Sequence, residues 1–381
     1  MDKLKVGIIG TGFIGPVHVE AAKRTGLADV VALADVNDEV AATKAKALGI
    51  PVSYGDYKKL LADQTIDIVH ICTPNHLHFQ MAKEAMEAGK HVVCEKPLAM
   101  NSDEAKILVD MAKEKRLVNA IHFNLRFYPI IHQAKAMVES GEIGEIFAVN
   151  GSYQQDWLFH ETDYNWRLES EFSGDSRAVA DIGSHWFDTA EFITGLETKK
   201  VCADFATFYP VRKKPLKPVE TYSGKMLTPE DYVDLDINTE DYATVLIKFK
   251  GKAHGSLTVN QVAAGRKNRM YMEIYGSKKS LVINTERCNE LWVGNRDGGN
   301  LVIMKDPSLL AQSASDIVSY PGGHNEGFAD TSKQMFIKLY RHILSGATGA
   351  VEFPTFEAGA RELVLCEKIV ESAKAEAWFE V

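Results

Sequence analysis

The 381-residue chain is poor in cysteine. Its five, Cys72, Cys94, Cys202, Cys288 and Cys366, are odd in number and widely spaced. No CxxC pair occurs, so neither a disulfide framework nor a zinc knuckle is indicated, and a reducing cytoplasm fits. Long hydrophobic runs are missing too: no apolar stretch approaches the roughly 20 residues that span a bilayer. The opening MDKLKVGIIGTGFIG breaks its apolar run at glycines and shows no signal-peptide cleavage pattern. Positive charge is in deficit. Lys and Arg number 43 against 52 Asp and Glu, a net −9. That argues against a nucleic-acid footprint, which needs a basic face, and leaves small molecules as partners. There is no internal repeat and no low-complexity tract. The length exceeds one core of typical size, so two domains are expected.

In the first third, strand and helix patterns alternate. KVGIIG (5–10), VVALAD (30–35), PVSYG (51–55), DIVHICT (67–73), HVVCE (91–95) and VNAIHF (118–123) are β-branched, strand-like runs. Helical spacing separates them, as in SDEAKILVDMAKEKR (102–116), with Ser102 as its expected cap. Strands alternating with helices of 10–15 residues imply a parallel, doubly wound sheet. This is an α/β Rossmann domain, expected over 1–125.

Gly10-Thr11-Gly12-Phe13-Ile14-Gly15 directly follows the first strand and opens a helix, the context a dinucleotide fingerprint requires. Gly10 permits the tight turn, Gly12 lets backbone approach a pyrophosphate, and Gly15 lets helix pack on strand. The free N–H groups at the helix start favour the anion. Asp35 follows Gly15 at the end of the second strand. A carboxylate there accepts from both ribose hydroxyls and repels a 2′-phosphate, so NAD is expected over NADP. Ligands bind outside the carboxyl ends of such strands. The next ends carry Thr73, Pro74, Asn75 and His78, then Glu95 and Lys96, then Asn124, and these complete the expected cofactor set. Thr-Pro-Asn is also a sound helix start, which is compatible. Lys96, in VCEKP, stands where a strand stops before a proline.

After about residue 125 the pattern changes, and 126–381 reads as an α+β domain with a large, mostly antiparallel sheet. Strand candidates are 146–157, 200–210, 241–251, 253–262, 269–276, 279–285 and 289–295. Residues 211–240, with Pro215, Pro218 and Pro229, read as a loop or insertion. Helices are expected near 181–194, 325–345 and in the last segment, FEAGARELVLCEKIVESAKAEAW. Within DIGSH, Asp181 and His185 are spaced i, i+4 and share a helix face. From spacing alone they read equally as an N-cap aspartate and a packed histidine. Two ligands do not make a metal site, so no metal is expected.

GTGFIG, CTPNHLH, CEKP and DIGSH occur here in the order that resembles the Gfo/Idh/MocA family of NAD(P)-dependent oxidoreductases, which includes inositol and sugar dehydrogenases. The resemblance runs along the whole chain. It implies that Lys96, Asp181 and His185 form the catalytic group, that Pro97 is cis, and that the active site lies between the domains. It also implies an open-faced sheet that assembles homo-oligomers. VAAGRKNRMYMEIYGS, ERCNELWVGNRD and PGGHNEGFAD further resemble pyranoside dehydrogenases of this family, including ones that oxidise the C3 hydroxyl of a glucoside or anhydrosugar. Arg126, Tyr153, Asp156, Trp157, Trp166, Arg167 and His324 join Lys96, Asp181 and His185 as expected sugar contacts. The expected reaction is oxidation of a secondary hydroxyl to a ketone. Two alternatives remain open: a glycosidase-type or redox-neutral enzyme that retains its NAD, and a non-catalytic NAD-binding regulator.

Overall fold

The computed structural model describes residues 3–216 and 231–381. Its first stretch alternates β1 (Leu4–Ile9), α1 (Ile14–Arg24), β2 (Ala28–Ala34), α2 (Asp38–Leu48), β3 (Val52–Tyr54), α3 (Tyr57–Ala62), β4 (Ile68–Ile71), α4 (His78–Glu87), β5 (His91–Cys94), α5 (Ser102–Lys115) and β6 (Asn119–Ile121). The six strands are parallel in the order β3-β2-β1-β4-β5-β6. That is two mononucleotide-binding halves meeting between β1 and β4, where the strand order reverses. Helix starts follow local chemistry: Asn37 and Asp56 accept from backbone N–H groups of α2 and α3. α5 is capped by Asn101, not Ser102, because the Asn101 side chain is the one that reaches Glu104 N–H (2.9 Å).

The chain then runs through α6 (Pro129–Glu139), β7 (Ile146–Gln154), α7 (Ser170–Ser173), α8 (Ser184–Thr194), β8 (Thr198–Ala206), β9 (Val211–Pro215), β10 (Tyr232–Asp236), β11 (Tyr242–Phe249), β12 (His254–Asn260), β13 (Arg269–Gly276), β14 (Lys279–Asn284), β15 (Glu290–Asn295), β16 (Leu301–Met304) and α9 (Gln312–Ser315). It ends with α10 (Phe328–Leu344), α11 (Phe356–Ala375) and β17 (Phe379–Glu380). The large sheet has nine strands, ordered β16-β15-β14-β13-β7-β12-β11-β8-β17. Only β7 and β12 pair in parallel among them. On one face Trp186 of α8 lies on the backbone at Gly151, where a Cβ would meet its indole nitrogen at 2.5 Å; the indole donates to the Tyr271 carbonyl. On the other, Phe147, Leu246, Tyr275 and Val302 stay exposed. The alternation along β11 shows the same one-sided burial.

Two expectations need correction. The segment 211–240, read as a loop, contains the antiparallel pair β9–β10, because Val211–Pro215 and Tyr232–Asp236 satisfy one another's backbone. Pro218 and Pro229 lie outside the described residues. The boundary near 125 also misses a return of the chain. One compact unit comprises 1–127 and 328–363, the other 128–327 and 364–381. The cause is hydrophobic. Met335, Phe336, Leu339 and Tyr340 of α10 are buried in the same cluster as Val6, Ile8 and Val19, and Phe356 and Leu363 join the cluster on the opposite face of the parallel sheet. Among the described residues, no helix is long and apolar enough to cross a membrane.

Candidate functional site

In the first unit, Gly10 has φ +88°, a left-handed conformation that favours glycine, and a Cβ there would meet the Cys72 carbonyl at 2.9 Å. Gly15 approaches so closely that a Cβ would lie 2.3 Å from the Gly10 oxygen. Gly12 differs: a Cβ would meet nothing within 4 Å, so its open side faces space rather than protein. α1 begins after Phe13, half exposed, with no side-chain cap and no acid in its first turn, from Ile14 on. An anion fits such an end. Asp35 Oδ2 accepts from the Thr11 N–H (2.9 Å) and the Thr11 hydroxyl, and Oδ1 from Val36 N–H. The carboxylate is thus fixed beside the glycine turn.

The other strand ends meet at the same rim. Thr73 and Pro74 lead into a short turn beginning at buried Asn75. His78 is fully buried, with Nδ1 2.6 Å from the Pro97 carbonyl and Nε2 2.8 Å from that of Thr73. Burial lowers its pKa. It ties two rim loops together and has no surface left for a cofactor, which corrects the expectation for it. Asn124 is likewise turned inward: its amide donates to Thr331 Oγ1 (2.7 Å), with 2% of the residue exposed. The Lys96–Pro97 bond is cis, as the resemblance implied. Lys96 and Arg126 are half-buried.

Beneath this rim lies a group that sequence reading missed. His18 Nε2 and His122 Nδ1 both contact Glu95 Oε1, at 2.8 and 2.6 Å. His18 Nδ1 meets His70 Nδ1 at 3.0 Å, and His70 Nε2 meets the Tyr340 hydroxyl at 3.0 Å. His122 Nε2 meets Ser332 Oγ at 3.0 Å. Burial pushes His18 down to about 4 and His70 well below its ordinary value. Burial alone would raise the Glu95 carboxyl; the charge and hydrogen bonds of His122 and His18 outweigh it and hold the group well below the carboxylate range. One ligand atom each of His18, Glu95 and His122 lies within 4.8 Å of the others, although the contacts to Oε1 have hydrogen-bond lengths. The signal was a histidine inside each of three apolar runs, PVHVE, DIVHI and NAIHF.

In the second unit, Asp181 sits in a π-helical turn, Val179–Gly183, that leads into α8, and half-buried His185 lies in the first turn of α8. π-turns inside helices occur often at functional sites. Asp181 is held from both sides: Arg167 Nε at 3.1 Å from Oδ1 and Gln261 Nε2 at 3.1 Å from Oδ2. The Arg167 guanidinium stacks 4.4 Å from the Trp166 ring centre. The Tyr153 ring, mostly buried, lies 6.5 Å from that of His185. These five residues are therefore brought together with Gln261, which the sequence had not singled out. Glu240 accepts from Ser176 Oγ and from the Arg177 and Val179 N–H groups, and so anchors the π-turn. Asp156 spends its carboxylate on Gly265 N–H and Lys267, while Trp157 beside it is half-buried. His324 is exposed on a loop whose carbonyls at 320 and 324 accept from buried Lys305, itself paired with Glu326 at 2.8 Å.

A six-stranded parallel sheet, a glycine turn open at Gly12 and a carboxylate beside it are the features of a dinucleotide-binding domain. Residues 4–123 match the model of an oxidoreductase family with an NAD-binding Rossmann fold, and residues 131–282 match the GFO/IDH/MocA C-terminal domain. Levoglucosan dehydrogenase of Pseudarthrobacter phenanthrenivorans is 32% identical over 403 aligned positions, covering 100% of this chain and 99% of that protein. Glucose-6-phosphate 3-dehydrogenase of Bacillus subtilis is 25% identical, covering 96% and 95%. A solved structure of levoglucosan dehydrogenase with NADH and levoglucosan superposes with a TM-score of 0.89 at 31% identity, covering all of both chains. The chain belongs to the Gfo/Idh/MocA family.

Proposed function

We propose that the enzyme oxidises a secondary hydroxyl of a sugar or anhydrosugar to a ketone, at C3 of a glucopyranoside ring. The observation that carries this reading is the presence of the residues that the family resemblance makes catalytic, Lys96 at the end of β5 and the Asp181–His185 pair at the start of α8, in a chain similar along its full length to a levoglucosan dehydrogenase. The glucose-6-phosphate 3-dehydrogenase relative supports the carbon by its name.

The first unit fits NAD: the glycine turn and the N-terminus of α1 take the pyrophosphate, and Asp35 takes the adenosine ribose. NAD supplies the hydride acceptor. The protein must take up the hydroxyl proton. The His185 imidazole is assigned as its acceptor. Lys96 polarises the same oxygen and shares the proton. Asp181, its carboxylate fixed by Arg167 and Gln261, accepts from a neighbouring sugar hydroxyl and holds the ring in place. The exposed side chains of the nine-stranded sheet serve as the face for a homo-oligomer, which size-exclusion chromatography with light scattering tests.

The deciding experiment follows absorbance of NADH with levoglucosan, glucose 6-phosphate, simple glucosides and myo-inositol, using NAD and NADP in parallel. The expected result is NADH formation with an unphosphorylated glucopyranose and a 3-keto product by NMR. Release of a free aglycone without net NADH would assign the chain to the NAD-retaining glycosidase type instead.

A further inference from the structure

We infer that Thr11 is a positioning residue for cofactor choice: it holds Asp35 in the orientation that suits the unphosphorylated ribose of NAD, and this rests on the reading above that Asp35 takes the adenosine ribose. The backbone of Asp35 is set by the sheet. Its N–H donates to the Tyr54 carbonyl (3.1 Å), and next to it the Gly10 N–H donates to the Ala34 carbonyl (2.9 Å). Those bonds leave the side chain free to turn. Its Oδ1 accepts from the adjacent Val36 N–H (2.7 Å), a bond within the loop itself. Its Oδ2 is tied to a distant part of the chain. Thr11, 24 positions earlier, donates to it twice, from its N–H (2.9 Å) and from its hydroxyl. The glycine turn, not the strand, therefore orients the carboxylate.

Burial separates the two partners. Thr11 is 1% exposed, whereas Asp35 is half-buried and reaches solvent. Among the described residues, the Thr11 hydroxyl makes no hydrogen bond other than the one to Asp35. The turn itself does not need that hydroxyl, because the left-handed φ of Gly10 and the close approach of Gly15 shape its backbone. Both Thr11 donors fall on Oδ2, which leaves Oδ1 as the oxygen with capacity to spare for a ligand hydroxyl. An acceptor already held in place loses less freedom when a ribose binds. The same fixed charge opposes a 2′-phosphate, which a carboxylate free to turn away would admit more readily. Holding Asp35 thus raises the preference for NAD from both sides, and Thr11 does the holding.

Dissociation constants for NAD+ and NADP+, measured by calorimetry on the full chain without substrate, test this. Thr11→Val replaces the hydroxyl by a methyl of the same shape. The ratio of the two constants is expected to move about tenfold toward NADP+, the scale of a lost hydrogen bond to a charged group. Thr11→Ser keeps the hydroxyl and should stay within about twofold of wild type. In Asp35→Ala the ratio should move at least as far. Adding Thr11→Val to that variant should then change it by less than about twofold, because a residue that acts through Asp35 has nothing left to position. An unchanged ratio in Asp35→Ala sinks the ribose reading and the inference with it. A shift in Asp35→Ala with none in Thr11→Val overturns the inference alone. So does equal weakening of both cofactors in Thr11→Val, or the same shift with and without Asp35. Should Thr11→Val not fold, Thr11→Ala is judged by the same criteria.

Discussion

Each unit buries a polar cluster beneath the segment that carries its candidate catalytic groups, and the two clusters are built from opposite chemistry. Under β5 in the first unit, one carboxylate is surrounded by imidazoles and hydroxyls. In the second, Arg177 and Arg212 both reach Asp241 Oδ1, at 2.5 and 2.7 Å, and all three side chains are fully buried. Burial works against the Asp241 carboxyl, yet the two guanidiniums keep it below its ordinary value. With Glu240 beside them, two positive charges face two negative ones. The difference is in the donors. Imidazoles donate hydrogen bonds whether neutral or charged, and His18 and His122 both direct theirs at Glu95. Guanidiniums cannot lose their charge, so Asp241 and Glu240 are spent inside the protein. The second cluster holds the π-turn of Asp181 in shape.

That contrast can be broken at several points. The largest effect is expected at the rim itself. Lys96→Ala should lower kcat by about a thousandfold or more, as loss of a group in the proton transfer does, with NAD+ affinity nearly unchanged by calorimetry. Wild-type turnover in that variant would remove Lys96 from the chemistry. Next comes the price of breaking each cluster, read by urea unfolding. Asp241→Ala strands two buried guanidiniums and should cost about 3–5 kcal/mol. Glu95→Gln, which keeps its hydrogen bonds, should cost about 1 kcal/mol. Equal losses would mean that both clusters are merely structural.

Two glycines separate folding from binding within the first unit. Gly15→Ala drives a methyl into the Gly10 carbonyl and should lower the melting temperature by several degrees, about 1–3 kcal/mol of overpacking. Gly12→Ala meets no protein atom, so its melting temperature should hold while NAD+ affinity falls by about tenfold. A lowered melting point for Gly12→Ala would show that this side of the turn is not open.

The smallest effect is in pH dependence. His18 has an ordinary value of 6.5 and a folded value of about 4. A depressed value means that the unfolded chain binds the proton more readily. The stabilising contribution is therefore complete above pH 6.5 and is lost as the pH falls through 4. His18→Gln should flatten the fall of melting temperature across that window, while Arg177→Gln in the second unit should leave its slope unchanged. The same slope in wild type and His18→Gln would place the titration elsewhere.

The first unit was the more legible in sequence, because its information is local. GTGFIG, Asp35 and CEKP read correctly as a strand–turn–helix unit since each lies within one βα segment. What sequence missed there are residues that only the parallel strand order assembles. His18 and His70 stand 52 positions apart, and His18 and Glu95 77. His78 and Asn124 were placed on the right loops but given the wrong direction, because which way a side chain turns depends on packing around it. In the second unit seven of the nine strands of the large sheet were anticipated, and the two at its edges, β16 and β17, were not. The β9–β10 pair was not, since its prolines and charges resemble a loop until a partner strand satisfies the backbone. Gln261 and Glu240 carried no motif at all.

By itself, the sequence determined what periodicity and short motifs encode: a doubly wound sheet, a glycine turn after its first strand, an acid at the end of its second, and a family. Tertiary structure decided where the chain returns to its first unit through α10, which polar groups are buried together, and whether their charges cancel. The physical reason is range. Backbone conformation and helix or strand faces are set by neighbours a few residues apart. Charge balance in a core depends on side chains tens to hundreds of residues apart, such as His70 and Tyr340, that meet only once the chain has folded.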